Sequence, residues 1–223
     1  MTAGSGVLTC CRAATTDLQL DTEDLPELQG LTVKTCPARI DAIDYLNSSV
    51  IRVVLRTPPN NSLQFLPGQY ISVIGPNSLR RSYSVANAPR ADNKIELHIK
   101  KVEGGAFSQY WFEQAKVNDL LRFEGPLGTF FVRSPAPKKL LLLATGTGLA
   151  PVKSILEQFI QIDAAKRPEI HVYWGNRNDS DIYTDLHDLA GPNVQAHLLL
   201  SRPGPEWTGR TGYVQQAVLE DEH

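Results

Sequence analysis

The spacing of apolar residues along the chain changes near residue 138. Between residues 31 and 133, short apolar or alternating runs are separated by clusters of Gly, Pro and Asn. Short strands at this spacing are typical of an antiparallel barrel or sandwich. The pattern predicts strands at 50–55, 69–74, 82–85, 94–99, 120–123 and 130–132, a turn at 125–128 and a helix at 107–115.

After residue 138, strand-like runs alternate with helical periodicity. Leu140–Ala144 has the length and composition of a buried strand, and the apolar residues after Pro151 recur at the spacing of one helix face. This alternation predicts a parallel α/β layout. Segment 134–137 contains two prolines and is the predicted domain boundary. Further strands are predicted at 169–174 and 194–200, and helices at 184–189 and 213–220.

The turn between the first of these strands and its helix, Thr145–Pro151, is the candidate nucleotide site. Gly146 and Gly148 allow a tight turn, and the free N–H groups at a helix N-terminus suit a phosphate. The turn is not the usual dinucleotide fingerprint, because Pro151 stands where that motif has its third glycine. It is not a P-loop either, because no Gly-Lys-Ser/Thr follows. An ordinary strand-to-helix turn without a ligand is the alternative.

Composition narrows the class of protein. Among 223 residues, 22 are Lys or Arg and 24 are Asp or Glu, which argues against a dedicated nucleic-acid or anionic-membrane surface. No apolar run approaches the roughly 20 residues of a membrane helix, and residues 1–6 lack the features of a signal peptide. A cytoplasmic protein is therefore expected. Cys10, Cys11 and Cys36 form no C-x-x-C pair, so neither a disulfide framework nor a metal site is predicted.

Three short motifs, in this order, resemble those of the ferredoxin–NADP reductase superfamily. They are Arg81-Ser82-Tyr83-Ser84, Gly105-Ala106-Phe107-Ser108 and the Gly146–Pro151 turn. Segments 66–70, 125–128, 175–177 and 207–210 support them. The resemblance implies an antiparallel FAD-binding β-barrel at 34–135, followed by an incomplete Rossmann-like parallel α/β NAD(P)-binding domain at 136–223.

The resemblance is strongest to reductases that carry an N-terminal plant-type [2Fe–2S] domain, among them reductases of dideoxysugar biosynthesis and of bacterial oxygenases. Residues 1–33 resemble the tail of such a ferredoxin domain and a linker, and Cys10 corresponds to its fourth cluster cysteine. The C-x₄-C-x₂-C run and the family's C-terminal Cys-Gly-x-x-x-Met segment are not found. A chain cut at both ends, whose flavin is reduced poorly, is therefore expected.

The resemblance assigns flavin roles to three residues of one strand. Arg81 would bind the flavin phosphates, because its guanidinium pairs with phosphate oxygens bidentately. Tyr83 would pack against the isoalloxazine, and Ser84 would place its hydroxyl near N5; these two are the catalytic candidates. A surface charge and a half-buried strand aromatic are the alternatives for Arg81 and Tyr83.

Two further segments would contact the flavin. His98, Ile99 and Lys100 would line the ribityl chain, largely through their backbone, although His98 could equally be a plain barrel side chain. Gly105, Ala106, Phe107 and Ser108 would hold a pyrophosphate at a helix start, which favours FAD over FMN. For this second segment, a simple helix cap by Ser108 is the alternative.

The nicotinamide dinucleotide would bind in the second domain. Neither NADH nor NADPH is decided. The second parallel strand is followed by Asn176-Arg177 rather than by a carboxylate, Ser201-Arg202 lies where NADPH-using relatives contact the extra phosphate, and the 207–210 motif resembles NADH users. The balance favours NADH slightly. The expected contacts are Thr145, Gly146, Thr147, Gly148, Pro151, Asn176, Arg177, Ser201 and Arg202.

The resemblance therefore implies an NAD(P)H-dependent flavoprotein oxidoreductase. It would pass electrons through FAD to an iron–sulfur domain or another redox partner protein. A free flavin reductase and a flavin-binding fragment with little activity are the alternatives. The sequence does not predict an oligomeric state.

Overall fold

The computed structural model describes residues 13–17, 19, 24–75, 78–133, 138–163, 166–190 and 194–222. Cys10, Cys11, most of the predicted ferredoxin-like remnant and the predicted boundary at 134–137 lie outside these residues. The described chain forms two sheets, one antiparallel and one parallel. Within this part of the chain, no helix combines the length and the apolar character needed to cross a membrane.

The first sheet has six strands in the order β4-β3-β6-β1-β2-β5, all antiparallel. A bridge between Val85 and Leu97 links the end of β4 to β5, so the sheet nearly closes. The expected barrel is confirmed. The strands are β1 (Lys34–Tyr45), β2 (Val50–Arg56), β3 (Tyr70–Ile74), β4 (Arg80–Ser84), β5 (Lys94–Lys100) and β6 (Leu120–Leu127).

The barrel core forms by period-two alternation. Ile95, Leu97 and Ile99 of β5 are almost fully buried, whereas the residues between them lie on the outer face. The predicted helix is confirmed as α1 (Ala106–Gln109), which continues as a π-helical turn at Tyr110–Gln114. Its apolar side packs into the core.

The region around residue 128 differs from the prediction. β6 runs through the predicted turn at 125–128 as far as Leu127, and a Cβ at Gly125 would lie 2.8 Å from Ile71 Cγ2. The predicted strand at 130–132 is wrong. Gly128, with φ +89°, turns the chain away from the sheet, where β6 already pairs with β1 and β3. Phe130 is therefore half exposed, and Phe131 packs under the Arg133 guanidinium, 4.2 Å away.

The second sheet is parallel, in the order β10-β9-β8-β7, as the α/β pattern predicted. One face packs against α2 and α3, and α4 lies against the other. β7 is an edge strand of the described sheet, which leaves Leu143 more exposed than predicted. The elements are β7 (Lys139–Thr145), α2 (Leu149–Ile160), β8 (Glu169–Asn176), α3 (Leu186–Ala190), β9 (Val194–Leu200), β10 (Arg210–Thr211) and α4 (Val214–Asp221).

Candidate active site

A cleft of about 550 Å³ lies at the carboxyl ends of the parallel strands. This edge is where open α/β sheets bind their ligands. The structure brings together six of the predicted nicotinamide-binding residues here: Thr145, Gly146, Thr147, Asn176, Arg177 and Ser201. Gly148, Pro151 and Arg202 do not line the cleft.

The glycine turn is held open toward the cleft. Gly146 has a φ of +50°, a left-handed conformation that favours glycine, and its carbonyl accepts a hydrogen bond from Trp174 Nε1 at 2.9 Å. Residues 146–148 form a short 3-10 turn before α2 begins at Leu149. A Cβ added at Gly146 or Gly148 would have no neighbouring atom within 4 Å. The backbone of this turn is therefore accessible to a ligand.

Asn176, at the end of β8, is only 6% exposed. Neither its amide nitrogen nor its amide oxygen has a hydrogen-bond partner within the described part of the chain. Buried amides in folded proteins are nearly always paired. An unpaired amide in the wall of a cleft therefore fits a ligand that offers both a donor and an acceptor.

Two backbone hydrogen bonds join the ends of β8 and β9. Ser201 N–H donates to the Asn176 carbonyl at 3.0 Å, and Arg202 N–H donates to the Arg177 carbonyl at 2.8 Å. The guanidinium groups of Arg177 and Arg202 are exposed, and neither makes a hydrogen bond or an ion pair with another described residue. The two strand ends thus present two cations to solvent.

Sequence reasoning assigned no role in nicotinamide binding to eight of the described residues that line the cleft, among them Asp181, Tyr213 and Lys100. Asp181 and Tyr213 belong to the second domain, whereas Lys100 comes from the barrel and had been assigned to the flavin. Lys100 Nζ lies 2.9 Å from Asp181 Oδ1, so the two domains meet at the cleft wall. Period-two alternation puts Lys100 on the outer face of β5 in the structure, but no pattern in the sequence indicates which surface that face meets.

The strand predicted to bind the flavin is β4, where two neighbouring arginines differ. Arg80 forms an ion pair with Glu124. Arg81 is exposed, and the only hydrogen bond of its side chain among the described residues is to the Arg80 carbonyl. The guanidinium of Arg81 is therefore available for an anionic ligand, whereas that of Arg80 is neutralised by the protein.

Tyr83 and Ser84 follow on the same strand. The Tyr83 hydroxyl accepts a hydrogen bond from Trp111 Nε1 at 3.2 Å. Burial raises the pKa of Tyr83 to about 12, outweighing the opposite effects of Trp111 and Arg81, so Tyr83 stays neutral at physiological pH. The hydroxyl of the half-buried Ser84 makes no hydrogen bond to another described residue.

The structure places the predicted pyrophosphate segment next to β4. The ring centroids of Phe107 and Tyr83 are 6.0 Å apart. Ser108 Oγ accepts a hydrogen bond from Val102 N–H at 2.9 Å, and Gly105 N–H donates to the Val102 carbonyl at 3.1 Å. Both groups thus stabilise the loop that precedes α1. Ala106 is exposed at the start of that helix.

The side chains of the predicted ribityl segment on β5 contact the barrel core and the second domain. Ile99 is buried in the barrel core. His98 lies between the domains, with Nδ1 3.2 Å from the Tyr183 hydroxyl and Nε2 3.0 Å from Glu96 Oε1. The side chains of His98 and Lys100 therefore contact the second domain. Among the described residues, no group of three or more His, Cys, Asp or Glu side chains is placed to hold a metal ion.

Comparison with known proteins agrees with this geometry. The profile described as "Oxidoreductase FAD-binding domain" matches residues 37–132, and "Oxidoreductase NAD-binding domain" matches residues 142–223. The CDP-6-deoxy-L-threo-D-glycero-4-hexulose-3-dehydrase reductase of Yersinia pestis is 42% identical over 222 residues, which cover 98% of this chain and 66% of that protein. Ferredoxin–NADP reductase B of Sorangium cellulosum is 34% identical over 82% of this chain and 77% of that protein.

Solved structures show the same fold. The ferredoxin reductase in carbazole 1,9a-dioxygenase superposes with a TM-score of 0.75 at 27% identity, covering 85% of this chain and 57% of that one. An Amycolatopsis cytochrome P450 reductase gives a TM-score of 0.76 at 28% identity over 85% of this chain and 58% of that one. The present chain spans just under two thirds of the length of the Yersinia pestis reductase. With its FAD-binding barrel followed by a parallel NAD-binding domain, the chain belongs to the ferredoxin–NADP reductase family.

Proposed function

We propose that this chain is the flavin and nicotinamide part of an NAD(P)H-dependent reductase. The observation that carries the proposal is the composition of the cleft wall. Lys100 of the barrel and Asp181 of the second domain line the same cleft as Thr145 and Asn176. A dinucleotide in this cleft would contact both domains, as electron transfer between a nicotinamide and a flavin requires.

The flavin would be held by β4 and the start of α1. Arg81 supplies an exposed guanidinium without a carboxylate partner among the described residues, which fits a phosphate. Tyr83 supplies a neutral ring, and Ser84 a hydroxyl that makes no hydrogen bond within the described part of the chain. When bound, FAD supplies the capacity to accept two electrons from a nicotinamide and to release them one at a time.

The dinucleotide would be held by the glycine turn and by Asn176. The turn offers accessible backbone N–H groups near the N-terminus of α2, where a phosphate is favoured. Asn176 offers an amide whose donor and acceptor are both unpaired among the described residues. We propose that both NADH and NADPH bind, with Arg177 and Arg202 available to the extra phosphate of NADPH.

Two relatives suggest the kind of acceptor. One is named the ferredoxin–NAD(P)+ reductase component of naphthalene dioxygenase and salicylate hydroxylase systems, and another the reductase component of a phenol monooxygenase. By analogy, we propose that this chain delivers electrons to an iron–sulfur domain or another redox protein. A cytoplasmic location and the ferredoxin-like nature of residues 1–33 remain predictions.

The test is anaerobic mixing of the purified FAD-loaded protein with NADH and, separately, with NADPH. We expect the flavin absorbance to bleach with at least one donor, and ferricyanide, a one-electron acceptor, to restore it. Gel filtration should leave FAD with the protein, whereas a free flavin reductase would release it. An FAD-loaded protein that neither donor bleaches would contradict the proposal and favour a binding fragment.

A further inference from the structure

The outer face of β5 forms three contacts with the nicotinamide domain. Glu96, His98 and Lys100 alternate with the core residues of β5 and therefore share this face. Glu96 Oε1 lies 3.1 Å from Lys153 Nζ of α2. His98 Nδ1 lies 3.2 Å from the Tyr183 hydroxyl, and Lys100 Nζ lies 2.9 Å from Asp181. One strand face thus reaches three separate points of the other domain.

Two of these three contacts are buried, whereas the side chain of Lys100 is 43% exposed. The side chains of Glu96, His98 and Lys153 are 6%, 4% and 16% exposed. Removing one partner while the domains stay docked would leave the other charge buried and unpaired, which is strongly destabilising. Lys153 also donates to the Ala86 carbonyl at 3.0 Å, which fixes its position on the barrel.

Further hydrogen bonds surround this pair. Ser154 Oγ donates to the Asn87 carbonyl at 2.7 Å, and Ala88 N–H donates to Glu157 Oε2 at 3.0 Å. Both join α2 to the barrel segment that follows β4. Because hydrogen bonds are directional, this set restricts sliding and rotation of α2 on the barrel.

The second-domain partners of Glu96 and His98 lie close to the glycine turn. The ring of Tyr183 meets that of Trp174 edge-on at 5.2 Å, and Trp174 holds the Gly146 carbonyl. Lys153 lies in the first turns of α2, directly after this glycine turn. Glu96 and His98 therefore help to set the position of the turn relative to the barrel, together with the Arg90–Glu157 ion pair at 2.8 Å and the packing of Val50 in the core of the second domain.

We propose that Glu96, His98 and Lys100 are positioning residues that fix the nicotinamide domain on the barrel and thereby set how the cofactor cleft faces the flavin site. This inference rests on the proposed function only for its effect on electron transfer. The coupling of the two domains through one strand face does not depend on the proposed function. Misplacement of reacting groups by about 1 Å can cost on the order of 100-fold in rate.

The test compares E96Q/Y183F with wild type and with D41N. Both substitutions preserve side-chain shape. D41N is the matched control, because Asp41 pairs with Arg56 at 3.5 Å and with Lys94 at 2.9 Å entirely within the barrel. Scanning calorimetry of the FAD-loaded proteins without nicotinamide should show one transition for wild type and D41N. For E96Q/Y183F we expect two separated transitions, since the domains no longer unfold together.

Rapid mixing gives the second readout. At saturating nicotinamide, E96Q/Y183F should reduce its flavin at least about 10-fold more slowly, with unchanged FAD affinity and little change in the donor concentration for half saturation. The single variant Y183F, which removes one oxygen, should shift both readouts in the same direction. A single calorimetric transition in E96Q/Y183F would overturn the inference. A wild type that neither donor reduces would overturn the proposed function alone, because calorimetry would still decide the inference.

Discussion

At the scale of single residues, neighbouring arginines on β4 have different environments. Arg80 is neutralised by Glu124, and Arg81 has no carboxylate partner among the described residues. We expect R81A to weaken FAD binding by roughly 1.5–3 kcal/mol, the usual contribution of a hydrogen bond to a charged group. Fluorescence titration of the apoprotein with FAD measures this.

R80A is the control for R81A. It removes a similar side chain from the same strand and breaks only an exposed ion pair, which contributes about 0–1 kcal/mol to stability. Equal losses of FAD affinity in the two variants would show that Arg81 has no special role.

Glu96 makes stability depend on pH. Burial raises the pKa of its carboxyl, but His98 and Lys153 together outweigh burial and lower the pKa from 4.5 to about 2. A carboxyl whose pKa is lowered by folding stabilises the protein above its unfolded pKa and loses this contribution as the pH falls toward its folded pKa. We therefore expect Glu96 to contribute up to roughly 2–3 kcal/mol above about pH 4.5 and progressively less toward pH 2.

Urea unfolding at about pH 7 and about pH 3 tests this dependence. The unfolding free energy of E96Q should fall less between the two values than that of wild type. Equal pH dependence in the two proteins would mean that the Glu96 carboxyl is not held ionised by its neighbours.

Arg177 and Arg202 bear on the choice of electron donor. Both guanidinium groups are exposed and lack an ion pair among the described residues. We expect R177Q/R202Q to lose at least about 10-fold in affinity for NADPH and much less for NADH, because only NADPH carries the extra phosphate. The two affinities are measured with the oxidised dinucleotides. A parallel loss for both would place the arginines elsewhere on the ligand.

Residue-level prediction brought the right side chains together where a motif fixes both residue type and local backbone. Gly146, Thr147 and Asn176 do lie together at one cleft. It failed where a side chain's surroundings depend on distant chain. The alternation of β5 predicts that His98 and Lys100 share a face, but only the docked second domain shows that they contact Tyr183 and Asp181. The unpaired amide of Asn176 is likewise visible only in three dimensions.

At the scale of elements, the two glycines of the β7–α2 turn differ in backbone conformation and in their contact with the cleft. Gly146 has a φ of +50° and lines the cleft, whereas Gly148 has a φ of −61° and does not. We expect G146A to lose about 1–2 kcal/mol of stability, because L-residues disfavour the left-handed region. It should also weaken NAD+ binding at least about 10-fold, since the new methyl projects where the backbone is open to a ligand.

G148A is the control for the added methyl. Its conformation suits alanine and its Cβ meets no atom within 4 Å, so stability should be unchanged or slightly higher. Calorimetry and titration with NAD+ measure both properties. A G146A protein that binds NAD+ as wild type does would exclude the turn from the dinucleotide site.

Strand boundaries were less predictable than strand existence. β1 was not predicted as a strand, although Cys36, Ala38 and Ile40 alternate with more exposed residues, and Pro37 counts against the interior of a paired strand. It forms because β2 and β6 pair with it on both sides. β6 similarly extends to Leu127 because β1 and β3 provide partners for the segment predicted as a turn. Pairing between distant strands decided both cases, and local pattern cannot report it.

At the scale of the whole molecule, the interdomain contacts predict that a ligand of one domain stabilises the other. FAD is proposed to bind the barrel, whereas β8 lies in the second domain and is joined to the barrel through Tyr183, α2, the loop containing Asp181 and the core that it shares with Val50. If the domains unfold as one unit, a ligand present at about 100 times its dissociation constant stabilises that unit by about 2.7 kcal/mol.

Hydrogen exchange of β8 amides tests this coupling. Adding FAD should slow exchange in peptides from 169–176 by up to about 100-fold, although the flavin is not expected to contact them, because 2.7 kcal/mol corresponds to that factor. The R81A variant at the same FAD concentration should show much less protection, and AMP in place of FAD controls for binding at the nicotinamide cleft. Protection confined to barrel peptides from 34–127 would mean that the two domains open independently. The buried contacts of Glu96 and His98 would then lack the energy to couple them.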